Sequence, residues 1–194
     1  MEVKNEETAK ISIEDCFMGE EEMEEKSEER YLGDILSNDG RNMKNFKSRV
    51  NKGTGIVNGI MTKLEGIPFG KYYFEVAMIL RNSLLVSSVL CNSEAWYNVT
   101  GSELDYLESV DLMLLRKILN TPKSTPKEMM YLELGCLPLR DIVRKRRLLF
   151  LHYILNENPD SLIQRFFKAQ QKFRNKKDWV STVIYDLEQL ELGF

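Results

Sequence analysis

The side chains that most often carry catalysis are few in this chain and lie far apart. The single histidine, His152, stands in an apolar and aromatic run, so we expect a packed helix histidine rather than a catalytic base. Cys16, Cys91 and Cys136 show no paired spacing, which favours small apolar residues in a reducing compartment. No two aspartates are adjacent, and the sequence has no phosphate loop, zinc-binding helix or nucleophile elbow. The sequence therefore predicts no complete active site.

A segment at about 41–65 combines cations and glycines in a way that suits phosphate binding. Its apolar residues recur at spacings of three and four from Met43 to Leu64, which predicts a helix with one buried stripe. At about 100° per residue, four cations and two glycines fall on the opposite side of this helix. They are Arg41, Lys44, Lys52, Lys63, Gly55 and Gly59. Bare backbone flanked by cations allows close approach of a phosphate chain, whereas the alternative is a solvated lysine face.

A second group of cations lies on the helix predicted at 138–156. Three of its arginines share one face, to which we assign a phosphate or solvent role: Arg140, Arg144 and Arg147. Arg146 instead falls on the apolar face, where a cation needs a partner, so we expect a structural role. The candidate partners are Glu94, Glu108 and Glu133.

Charge is unevenly distributed along the 194 residues. The net charge of −3 excludes a uniformly basic nucleic-acid binder. Residues 1–30 carry a net −8 and the remainder a net +5, with +6 over 41–71 and +8 over 140–177. This pattern predicts an acidic, flexible N-terminal segment before a body with two basic segments. We expect the acidic segment to compete for the basic helix face, and the alternative is a set of solvated helix faces.

The remaining patterns predict a mainly α fold. A possible strand at 10–13 and a strand-like run at 31–36, ending in a turn at 37–40, precede about seven helices over 41–192. Capping boxes are predicted at Thr100–Glu103 and at Thr125–Glu128. The apolar run 72–90 contains Glu75 and Arg81, and two charges are expensive in lipid, so we expect a buried helix and no membrane span.

Several short phrases recur together in an order typical of one protein family. They are Tyr31–Asp34, Lys52–Gly55, Phe69–Tyr73, Leu80–Ser83, Glu94–Tyr97, Ser124–Glu128, Tyr131–Gly135 and Arg146–His152. From about residue 28 to the end, the chain resembles the C-terminal part of a reverse transcriptase of a non-LTR (LINE-type) retrotransposon. The match rests on the order and spacing of the phrases, because no single phrase is decisive.

The resemblance implies a fold, a partner and a limit on activity. After the acidic segment at 1–30, which the charge pattern defines, it implies a palm-end strand and thumb-like helices at 31–92 and a post-thumb helical region at 93–194. In that family the thumb lies along an RNA–DNA or RNA duplex. The metal-binding aspartates, and with them the magnesium, belong to the palm upstream. The resemblance therefore implies a fragment of an RNA-directed DNA polymerase that holds no cofactor and is inactive alone.

Two other functions compete with this interpretation. The chain could be a stand-alone helical protein-interaction module with a protein partner, or an enzyme fragment that regains activity with a separate palm chain. The N-terminus has no apolar signal core, so we expect an intracellular location, either nuclear or cytoplasmic.

Overall fold

A computed structural model describes residues 17–18, 21–22, 27–31, 34–37, 42–172 and 178–190. The chain divides into two compact units, Met1–Gly40 and Arg41–Phe194. In the first unit, β1 (Phe17–Met18) pairs antiparallel with β2 (Glu21–Glu22), and β3 (Glu28–Tyr31) pairs antiparallel with β4 (Asp34–Ser37). The run predicted as one strand at 31–36 is thus divided between two paired strands, with Tyr31 opposite Asp34. The strand predicted at 10–13 lies outside the described residues.

The second unit is helical. Its elements are α1 (Met43–Leu64), α2 (Lys71–Leu80), a π-helical segment (Arg81–Val86), α3 (Ser87–Val89), a 3-10 turn (Ser93–Ala95), α4 (Gly101–Leu119), α5 (Lys127–Glu133), α6 (Leu139–Asn156), α7 (Leu162–Lys172) and α8 (Trp179–Gln189). Residues 71–89 form one continuous rod, because the backbone stays helical at both joins. With this rod counted once, the described residues form seven helices, so the prediction of a mainly α fold is confirmed.

The main core forms where α1 packs against α4 and the 71–89 rod. The predicted stripe of α1 is buried from Phe46 to Leu64, while Met43 at its start is only half-buried. Gly53 lies in this stripe at the point of closest approach. A Cβ atom added there would lie 3.0 Å from Val89 Cγ2 and 3.1 Å from Val110 Cγ2. The missing side chain therefore lets all three helices meet.

One of the two predicted capping boxes forms. At the start of α4, Thr100 Oγ1 accepts a hydrogen bond from the Glu103 backbone N–H at 3.3 Å, and the Glu103 carboxylate accepts from the Thr100 N–H at 2.8 Å. The box predicted at Thr125–Glu128 is wrong. Pro126 has extended backbone (ψ 136°) and takes the N-cap position of α5 itself, so Thr125 lies one residue too early to cap the helix.

The expectation that the apolar run 72–90 forms a buried helix is wrong for the outer side of that helix. Tyr73, Ala77 and Leu85 are buried, but Tyr72 and Ile79 are 67% and 65% exposed. The rod thus packs through one face only. Among the described helices, none is both long enough and apolar enough to cross a bilayer.

A smaller core joins the end of α6 to α7 and α8. Leu151, Phe167 and Trp179 meet there, and the Trp179 indole N–H donates to the Glu94 carbonyl at 2.8 Å. His152 points to solvent beside this core, so the prediction of a packed histidine is wrong. Cys91 is also exposed rather than packed.

The division predicted at residue 92 comes from the family resemblance and stays a prediction about family subdomains. Within Arg41–Phe194, residues from both sides of position 92 share the main core, including Leu85 and Val110.

Candidate nucleic-acid interface

The cations and glycines predicted on the outer side of α1 lie on its exposed surface. Lys44, Lys52 and Lys63 are exposed, and so are Gly55 and Gly59. We call these five residues the α1 basic face. Arg41, the sixth predicted member, lies outside the described residues. That this face contacts nucleic acid stays a prediction.

The charge of α1 is entirely positive. Between Met43 and Leu64 the helix contains five basic residues and no aspartate or glutamate. No carboxylate of the helix can therefore balance its lysines at the i+3 or i+4 positions. Lys44 and Lys47 also lie in the first turns, where the helix dipole disfavours cations. The sequence of α1 is thus poorly suited to stabilise an isolated helix and well suited to attract an anion.

The glycines of α1 fall into two classes. Gly53 has a packing reason, given by its contacts with Val89 and Val110. Gly55 and Gly59 have none, since a Cβ atom built at either position would have no described atom within 4 Å other than those of its own helical turns. Each glycine costs a helix about 1 kcal/mol relative to alanine. Two exposed glycines therefore weaken α1 without any benefit to its packing.

The end of α4 adds a cation beside this face that the sequence analysis missed. Lys117 Nζ donates to Asn58 Oδ1 of α1 at 3.0 Å. Because Gly53 approaches Val110 and Asn58 meets Lys117, the two helices run in the same direction here. Residues 72–139, between the two basic segments, are mildly acidic on average, and this average conceals the basic last turn of α4.

Arg140 is engaged with carboxylates of α4. Its Nε and Nη2 donate to the two carboxylate oxygens of Glu108 at 2.8 and 3.0 Å, and Nη2 also contacts Asp105. The hydrogen bond with Glu108 is the largest cause of a raised pKa of Arg140. This side chain therefore fixes α6 to α4.

Arg144 and Arg147 are engaged in the same way with α8. Arg147 donates from Nε and Nη2 to Asp186 at 2.7 and 3.0 Å, and Arg144 Nε lies 3.6 Å from the same carboxylate. Arg147 is only 3% exposed. The phosphate or solvent role predicted for Arg147 is therefore wrong. Because carboxylates of the same unit bind Arg140, Arg144 and Arg147, we do not include these three arginines in the interface.

Arg146 has the structural role that was predicted, but none of the predicted partners. Its Nη1 donates to the Leu90 carbonyl and, at 3.3 Å, lies within hydrogen-bond distance of Ser93 Oγ. Leu90 follows the end of the 71–89 rod, where helix carbonyls lack intrahelical donors. The cation therefore caps a helix end rather than pairing with a glutamate.

The sequence analysis also did not predict a buried ion pair between Arg81 and Asp111. The Arg81 guanidinium holds both Asp111 carboxylate oxygens, and the Tyr131 hydroxyl donates to Asp111 at 3.3 Å. Burial raises the pKa of Asp111, while Arg81 opposes the shift. The carboxylate is fully enclosed and is therefore no candidate for catalysis. Among the described residues, no group of three His, Cys, Asp or Glu side chains could hold a metal ion.

Comparison with known proteins adds no relative. No protein-family model, no curated protein and no solved structure matches this chain. The reverse-transcriptase resemblance therefore rests on the order of its sequence phrases alone.

Proposed function

We propose that this chain is a thumb-like and post-thumb part of a retroelement reverse transcriptase, and that it binds an RNA–DNA duplex through the α1 basic face. The observation that supports this most is the pair of exposed glycines, Gly55 and Gly59, between Lys52 and Lys63. Folding gives no reason for these glycines, whereas close approach of a phosphate backbone does. The role proposed for this chain is duplex binding, and DNA synthesis would require the metal-binding aspartates of a palm.

The three lysines supply point charges and the two glycines supply access. Each lysine ammonium reaches a phosphate oxygen from a flexible stem, so the contact is insensitive to base sequence. At Gly55 and Gly59 the sugar-phosphate backbone lies directly against the helix backbone. Binding of this kind releases counterions, and its affinity falls as salt rises.

A charge-matched pair of triple variants tests the proposal. Lys44→Ala/Lys52→Ala/Lys63→Ala removes the lysines of the α1 basic face. Lys71→Ala/Lys145→Ala/Lys168→Ala removes three exposed lysines elsewhere and changes the net charge equally. We expect the first triple to lower the salt slope of duplex binding by about 1 per lysine, and the second to leave it unchanged. Equal effects of the two triples would show that only bulk charge matters, and the proposed face would be wrong.

The glycines are tested by adding bulk without charge. Gly59→Leu should weaken duplex binding while it raises the helix propensity of α1. The matched control is Ala169→Leu, an exposed and uncharged position on α7, outside the helix that carries the proposed face. If Gly59→Leu and Ala169→Leu bind duplex equally well, no phosphate backbone lies at Gly59.

A stand-alone protein-interaction module is the second candidate. The observation in its favour is the outer side of the 71–89 rod, where Tyr72 and Ile79 are largely exposed. This function predicts that the chain has no salt-sensitive affinity for duplex. It also predicts that Tyr72→Ser/Ile79→Ser abolishes binding of the protein partner.

A further inference from the structure

A pocket of about 520 Å³ lies at the end of α4, beside the α1 basic face. We call it the α4-end pocket. Its lining residues are Met113, Arg116, Lys117, Asn120, Thr121 and Lys123. Three of these six residues are cations and none is an acid, so the pocket has the charge of an anion site.

The cations of this pocket differ from those of α6 in having no internal carboxylate. Within the described part of the chain, no Asp or Glu oxygen lies within 4 Å of the charged nitrogens of Arg116, Lys117 or Lys123. Arg140, by contrast, binds two carboxylates and Arg147 binds one. The Lys117 ammonium donates instead to the neutral side-chain amide oxygen of Asn58. The positive charge at the end of α4 is therefore not paired with any carboxylate of the described residues.

Arg116 carries a second, independent sign of a missing partner. Its Nε is buried and has no hydrogen-bond acceptor. A buried donor without an acceptor carries a desolvation penalty. Turning the guanidinium into the pocket toward an anion would relieve that penalty.

We propose that the α4-end pocket binds a backbone phosphate of the same duplex that contacts the α1 basic face. Arg116 supplies the fork of Nε–H and Nη–H groups that matches two phosphate oxygens, while Lys117 and Lys123 supply charge. The identification of the anion as part of a duplex rests on the proposed function. The pocket itself rests on the charge of its lining and on the unpaired Nε of Arg116.

The position of the pocket suits a continuous track. The Lys117–Asn58 hydrogen bond places the end of α4 against α1, one residue before Gly59. Lys63 follows Asn58 by five residues, or about 7.5 Å along the helix axis. A nucleic-acid strand that crosses Gly59 therefore has cations of α1 and cations of α4 within its reach.

The Nε–H group of Arg116 provides a direct readout. Its ¹⁵N–¹H signal in the full-length chain is assigned by its loss in Arg116→Lys, which keeps the charge and removes the fork. We expect this signal to shift on titration with an RNA–DNA duplex, and also with pyrophosphate. We further expect Arg116→Gln/Lys123→Gln to lower the salt slope of duplex binding by about 2, while Lys71→Gln/Lys145→Gln leaves it unchanged.

The outcomes separate this pocket from the proposed function. In one outcome, the α1 triple variant lowers the salt slope, the Arg116 signal does not shift with duplex, and Arg116→Gln/Lys123→Gln leaves the salt slope unchanged. This outcome overturns the pocket proposal, and the proposed function stands. If the Arg116 signal shifts with duplex but the α1 triple variant has no effect, the pocket stands and the α1 face fails. A shift with pyrophosphate in a chain that binds no duplex overturns the duplex as ligand. Lys123→Gln alone, at an exposed position, keeps the test valid if the Arg116 variants fold poorly.

Discussion

Arg81 and Asp111 face each other in the centre of the helical unit, joined by two hydrogen bonds of 2.7 and 2.6 Å between guanidinium and carboxylate. Neither side chain is more than 1% exposed. Arg81 also donates to the Leu137 carbonyl at 3.0 Å, just before α6. One side chain thus connects the 71–89 rod, α4 and the start of α6, and the first two of these form the surface on which α1 lies.

Removing the charge of Asp111 should destabilise the fold strongly. Asp111→Asn leaves Arg81 buried without a counter-charge, and breaking a buried pair in this way costs about 3–5 kcal/mol. Urea unfolding followed by circular dichroism measures the effect. Glu75→Gln, in the exposed Lys71–Glu75 pair, is the control and should leave the midpoint nearly unchanged. Equal midpoints for the two variants would show that the buried pair is not required.

Replacing both partners should do less damage than replacing one. Arg81→Met/Asp111→Leu leaves no isolated charge in the core, and such replacements of buried pairs are often tolerated. We expect the double variant to be more stable than Asp111→Asn in the same urea experiment. A double variant less stable than Asp111→Asn would mean that the lost bonds to Leu137 and Tyr131 dominate.

The three glycines of α1 should respond to alanine with opposite signs. Gly53→Ala places a methyl group about 3 Å from Val89 and Val110, and such overpacking costs about 1–3 kcal/mol. Gly55→Ala and Gly59→Ala meet no atom and should each stabilise the chain by about 1 kcal/mol. Thermal unfolding of the three single variants gives the comparison. A loss of stability in Gly55→Ala would reveal a structural role for that glycine and weaken the functional argument.

Arg147 should act through the attachment of α8. Asp186→Asn leaves the Arg147 guanidinium buried at the α6–α8 contact without its carboxylate. We expect hydrogen exchange to accelerate in Trp179–Gln189, while the salt slope of duplex binding stays unchanged. A changed salt slope with unchanged exchange would assign Arg147 to the interface instead of to this contact.

The thiols should differ in their response to pH. Burial is the main cause of a raised pKa of Cys136, whereas Cys91 is exposed. A raised pKa means less thiolate at a given pH, so Cys136 should react more slowly with iodoacetamide and require more alkaline conditions. The raised pKa also makes stability depend on pH, because the unfolded chain ionises this thiol before the folded chain does. The free energy of unfolding should therefore be unaffected below the unfolded pKa of about 8.5 and should fall as the pH rises above it. Peptide mapping by mass spectrometry measures both rates, and equal rates at neutral pH would contradict this account.

Local pattern was enough to predict most of the helices. The stripe of α1 and the Thr100–Glu103 capping box depend only on residues within one or two turns, so periodicity and spacing define them. The apolar run 72–90 was predicted less well, because hydropathy does not say which side of a helix has a neighbour. Tyr72 and Ile79 are as apolar as the buried residues beside them, and only the packing leaves them exposed.

The cations were harder to assign because their partners lie far away in sequence. Arg81 pairs across 30 residues and Arg147 across 39, so neither carboxylate is recognisable from the local pattern. Arg146 shows a further difficulty, since its main acceptor is a backbone carbonyl, which every residue possesses. The exposure of the α1 lysines was predictable, because the opposite face of their helix is apolar and the helix contains no acidic residue.

The most direct test of the central claim is a titration of the full-length chain with an RNA–DNA duplex at several salt concentrations between about 50 and 200 mM. Our account predicts a logarithm of affinity that falls linearly with the logarithm of salt, with a slope that does not depend on duplex sequence. It also predicts tighter binding after deletion of residues 1–28, because that segment contributes most of the negative charge of the acidic N-terminal region. The absence of any salt-sensitive affinity for duplex, with or without residues 1–28, would contradict the nucleic-acid function and favour the protein-interaction module.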